Sequence, residues 1–164
     1  MVSWTIFIVY MAGSIVISIC RPDAITKNDF MGKFVGADLL NVLAVIMTIT
    51  FASIANIHLT VSRVIAAAFR ENPSLGQEKA AGLRRELNTN AWLMFAGFIW
   101  AAIFSAVRAI PKITDTLIAF SDTMAIAALV VHMLVFRDIY STLFGLSASD
   151  LAIRGEINED LDTK

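Results

Sequence analysis

The chain contains two histidines, His58 and His132, and each is followed five residues later by an arginine, Arg63 and Arg137. Both local strings have the form His-x-x-Val-x-Arg. Imidazole is a common axial ligand of haem iron, and a guanidinium suits a carboxylate such as a propionate. Five helical residues span about 7.5 Å, so two helical strings would hold both imidazoles at one depth below their arginines. Gly97 would let a flat macrocycle approach a neighbouring helix. These residues define one chemical reading, a b-type haem bound by His58 and His132. The plainer reading is that each histidine hydrogen-bonds Asn56, a backbone carbonyl or water, while the arginines mark the basic ends of apolar segments. The plainer reading is the first choice. No cofactor is therefore expected, with haem b as the alternative, and the spacing identifies no other metal.

Asp122 is the second candidate. It is the single charge in residues 116–136, an otherwise apolar stretch. It lies seven residues past Asp115, or about 10 Å along a helix. An ionisable group at that depth in a membrane span is a functional hypothesis by default, as a proton relay or as part of a water-filled path. The competing reading ties it to Ser121, Ser105 or Arg108 as a structural contact.

Motifs of other chemistries are missing from the sequence. It has no Walker-type glycine loop, no Cys-x-x-Cys, no His-Glu-x-x-His and no Gly-x-Ser-x-Gly. No nucleophile sits beside a base, so the chain is not expected to be an enzyme acting alone. A formal net charge of −1 offers no global attraction to nucleic acid. The single cysteine, Cys20, allows no intrachain disulfide.

The elements that must position these residues follow from the distribution of charge. Charged residues make up 16% of the 164-residue chain, against about 25% in a soluble domain. They are absent from residues 1–20, 39–62 and 87–107, and nearly absent from 116–136. A helix needs about 20 apolar residues to cross a bilayer. The expectation is an all-α, integral membrane four-helix bundle, up-down-up-down, with spans at about 2–19, 39–62, 88–107 and 116–136. Residues 20–36 read as a loop, and Asp38 and Asp115 stand where N-caps would precede two of the spans.

The second and third helices should outrun the membrane. Val61, Val64, Ile65, Ala68 and Phe69 continue the helical spacing beyond Ser62, and the break comes at Glu71-Asn72-Pro73-Ser74. Residues 63–87 thus form a hairpin extension into water with its tip at 71–76. The returning helix should begin near Pro73-Ser74, since proline suits a first helical turn, or after Gly76, and it should stop before Pro111. The transmembrane domain covers residues 1–146, and 147–164 form a polar acidic tail whose last residues are expected to lack structure.

Four spans put both termini on one side. That side carries Arg63, Arg70, Lys79, Arg84, Arg85, Arg137, Arg154 and Lys164, and the other carries Arg21, Lys27, Lys33, Arg108 and Lys112. The excess of basic residues places the termini in the cytoplasm, in a plasma or bacterial inner membrane. Ser53, Asn56, Thr60 and Arg63 form one stripe on the second helix, while Gly97, Ala101 and Ser105 are four apart on the third. Such stripes pack helices within a bundle or between subunits. The partners expected are the lipid bilayer and either a second copy or another membrane protein. The function expected is that of a small multi-pass membrane protein that assembles, binds a partner or forms a permeation path. The alternatives are the haem electron carrier and a membrane-anchored adaptor recruiting a soluble partner through residues 63–86.

Overall fold

A computed structural model describes the backbone of residues 2–68 and 73–162, with side chains at positions 5, 7–61, 63–65 and 74–145. All regular structure among these residues is helical: α1 (Val2–Cys20), α2 (Pro22–Thr26), α3 (Asp29–Phe34), α4 (Ala37–Ala68), α5 (Pro73–Arg108) and α6 (Asp115–Asp162). Three helices, α4, α5 and α6, are long and apolar enough to cross a membrane. Their 32, 36 and 48 residues correspond to about 48, 54 and 72 Å at 1.5 Å per residue. Each exceeds the ~30 Å hydrocarbon core of a bilayer. The shorter α1 is apolar over Phe7–Cys20.

The helix ends follow local chemistry, and two caps differ from expectation. α5 begins at Pro73, where the missing N–H of proline costs no helical bond. Asp115 lies inside α6, and Thr114 is the cap, its Oγ1 accepting from Leu117 N at 3.4 Å. Asp38 likewise lies inside the first turn of α4, which enters from Gly36. Gly36 has a φ of 156°, a conformation that glycine adopts without the clash of a Cβ. The proposed tip of the hairpin at 71–76 falls partly outside the described residues.

Residues 20–36 are not an irregular loop. They hold α2, opened by Pro22, and α3, capped by Asn28. The Asn28 side chain accepts from the backbone N–H groups of Phe30 and Met31, at 3.0 and 3.3 Å. At the other end of the chain, α6 continues as helix through Asp162, so the described part of the acidic tail is helical rather than unstructured.

The chain divides into two compact units, residues 1–47 with 93–135, and residues 48–92 with 136–164. The first unit is built on Val35, Leu39 and Leu43 packed with Ala101 of α5 and Ala125 and Ala128 of α6. Alanines at these contacts let the helix backbones come close. Here Ser18 of α1 meets Thr123 of α6, their hydroxyl oxygens 2.6 Å apart. In the second unit α4 buries Thr50, Ile54, Ile57, Val61 and Val64, alternately four and three apart, the spacing of one helical face. Leu87 of α5 and Ile139 of α6 are buried in the same unit. Asn90 Nδ2 donates to Asp138 Oδ2 at 3.3 Å.

Candidate functional site

The first unit brings Asp122 together with Arg108. Asp122 sits two turns into α6, and its side chain is 1% exposed. Arg108, the last residue of α5, places Nε 3.1 Å from Asp122 Oδ1. The contact is one of charge rather than an aligned hydrogen bond, since neither carboxylate oxygen has a hydrogen-bond partner among the described residues. Of the partners expected for Asp122, the structure selects Arg108. Ser121 Oγ and Ser105 Oγ are also buried without a hydrogen bond. Ser105 precedes Arg108 by three residues, so both lie on one face of α5. Most buried polar atoms are hydrogen-bonded to protein or water, which makes the Asp122 carboxylate, unbonded at both oxygens, the chemically distinctive place in the unit.

Arg108 has a second task that its sequence position did not reveal. Its Nη1 donates to Met31 O at 3.2 Å and to Val35 O at 2.7 Å. Met31 O also accepts from Val35 N at 3.0 Å, while Val35 O, just past the last turn of α3, lies where helical donors run out. Gly32 lies beside the same guanidinium, and a Cβ there would stand 3.6 Å from Nη2. One side chain thus joins the end of α3 to the interior acid of α6. A guanidinium, with five donors in a planar fork, can do this where a lysine could not.

His132 is fully buried on α6. Its Nδ1 is 2.8 Å from Ala128 O, and a carbonyl only accepts, so Nδ1 carries the proton. Nε2 is then an acceptor, buried without an aligned hydrogen bond, and the Met94 backbone carbonyl also lies near the ring. The ring lies over Gly97, where a Cβ would come within 2.9 Å of Cε1, so imidazole uses the room that glycine leaves. An apolar cavity of about 270 Å³ borders this contact, lined by Phe7, Met11, Leu93, Trp100 and Met124 among others. His58 is half-buried on α4 and belongs to the second unit. Arg63 and Arg137 are both exposed. No group of three or more His, Cys, Asp or Glu side chains is placed to hold a metal among the described residues.

No protein-family model, no curated protein and no solved structure matches the chain. The class of protein therefore rests on the helices themselves: an all-helical chain with three helices of membrane-crossing length and composition.

Proposed function

We propose that the protein is a four-span integral membrane protein, α1 crossing alongside α4, α5 and α6, with both termini in the cytoplasm. It acts without catalysis, as an assembling subunit whose interior forms a polar path at Asp122. The observation that carries this reading is the buried Asp122 carboxylate, charge-paired with Arg108 yet hydrogen-bonded through neither oxygen. A purely structural pair gains from having its remaining lone pairs satisfied. Open lone pairs on a buried carboxylate suit a site that exchanges protons or water. Purified protein in vesicles loaded with a pH-sensitive dye tests this. Asp122→Asn should change the proton leak relative to the wild type, and equal leak from both would remove the path reading.

The haem reading keeps one supporting observation. An imidazole that donates Nδ1–H to a backbone carbonyl and leaves Nε2 open is in the state typical of a metal ligand, and His132 is in that state. An oxidised-minus-reduced spectrum of protein expressed with ample haem decides it. Sharp bands lost in both His58→Ala and His132→Ala would establish the carrier, and a colourless protein would end the idea.

A further inference from the structure

The stripe of polar residues on α4 has a use that the interior of the chain does not supply. α4 buries one face, through Leu43, Thr50, Ile54, Ile57, Val61 and Val64. The opposite face, which carries Ala52, Asn56, Leu59 and Arg63, is exposed. Leu59 is 74% exposed. The Asn56 side chain makes no hydrogen bond among the described residues. It stands within the stretch Ala37–Ile65 that is long and apolar enough to cross a membrane. Arg63, seven residues on, lies about 10 Å further along the helix and suits the water edge, where its long side chain reaches headgroups. Asn56 is then an amide facing lipid, and acyl chains offer it no hydrogen bond.

We infer that α4 is the surface through which two copies of this chain associate in the membrane, with Asn56 against Asn56 of the partner subunit. The inference rests on the reading of α4 as a span. Three physical facts favour a second copy over another occupant. A carboxamide carries both donor and acceptor groups, so two of them complement each other without any further residue type. Membrane insertion gives every copy the same orientation, and a two-fold axis along the membrane normal brings each residue to its own equivalent at equal depth. Ala52, one turn before Asn56 on the same face, is small enough for the helices to approach within reach of that bond. The two Arg63 side chains would oppose each other if they stayed in the apolar layer. At the water edge they can splay apart, so the like charge leaves the contact at Asn56 intact.

The test uses the full chain. In native membranes, Asn56→Cys in a Cys20→Ser background should form a disulfide-linked dimer under mild oxidation. Ile103→Cys, on an exposed part of α5 (54% exposed), should not. In reconstituted vesicles, Asn56→Leu should weaken the measured dimer by roughly five- to thirty-fold, the range expected for an interhelical polar bond of about 1–2 kcal/mol. Asn56→Gln, which keeps the amide, should retain most of the affinity. A wild-type chain that stays monomeric at every protein-to-lipid ratio overturns the inference, as does an Asn56→Leu variant that dimerises as well as wild type. A different membrane protein cross-linked at position 56 overturns it in favour of a hetero-partner. Recovery of the chain outside the membrane fraction would instead overturn the reading of α4 as a span.

Discussion

Asp122 on α6 and Asn56 on α4 are both polar residues set in apolar helices, and the structure treats them in opposite ways. Asp122 turns inward and meets Arg108. Asn56 turns outward and makes no hydrogen bond among the described residues. The helices differ in the same sense. In the most apolar window of α6, 56% of residues are buried, against 22% in α4 and 17% in α5. A polar residue on a helix enclosed by its own chain is answered by that chain. On a helix with an open face it has to be answered from outside. Facing, rather than residue type or depth, separates an internal contact from a surface for association.

The largest effect expected is at the inward residue. Arg108→Ala leaves the Asp122 carboxylate buried without its charge partner and removes the donor that serves Met31 O and Val35 O. Loss of one member of a buried pair costs about 3–5 kcal/mol, seen as a lower unfolding midpoint in detergent. The double variant Arg108→Met with Asp122→Leu should recover much of that loss, since it leaves no uncompensated charge. If Arg108→Ala is as stable as wild type, the inward half of the comparison fails.

A smaller effect is expected at Gly97. A methyl group there would stand 2.9 Å from His132 Cε1, and overpacking of this kind costs about 1–3 kcal/mol. His132→Ala should relieve part of the cost of Gly97→Ala, and additive losses would show that the two do not share the space. Below this comes Thr123→Val, which removes the hydroxyl facing Ser18. Its cost should be near ~0.6 kcal/mol, the average for polar contacts between membrane helices. The smallest effect on the monomer is expected at the outward residue. Asn56→Leu should shift the unfolding midpoint of the monomer within the range of an ordinary surface change, about 0.5 kcal/mol either way. A large loss at Asn56 would mean that its own chain does depend on it.

Much of the helical layout was legible in the amino-acid pattern. Pro73 opens α5, and α5 ends at Arg108, ahead of Pro111. These follow from the chemistry of proline and from runs of apolar residues, which are local. The short helices α2 and α3 were missed because each is under two turns and neither shows an apolar period. The one signal was Asn28, an N-cap residue followed by Asp29. Arg108 was legible as a partner for Asp122 because both sit at the same end of adjacent apolar runs. Its bonds to Met31 O and Val35 O were not, because they join residues more than 70 positions apart through backbone atoms that every residue type carries. The outward facing of Asn56 was equally hidden, since the stripe containing it fits internal packing and subunit contact alike.

The pairing of Arg108 with Asp122 also bears on how the chain is made. A lone acid at the centre of an inserting helix costs about 2.5–3.5 kcal/mol. Arg108 leaves the ribosome fourteen residues before Asp122, so the counter-charge is already at hand when the acid arrives. The connection between α5 and α6 spans only Ala109–Thr114 in sequence, so Arg108 and Asp122 can pair as soon as the first turns of α6 are made. Val35 O, at the end of α3, is synthesised much earlier and gains the Arg108 donor only when α5 is complete.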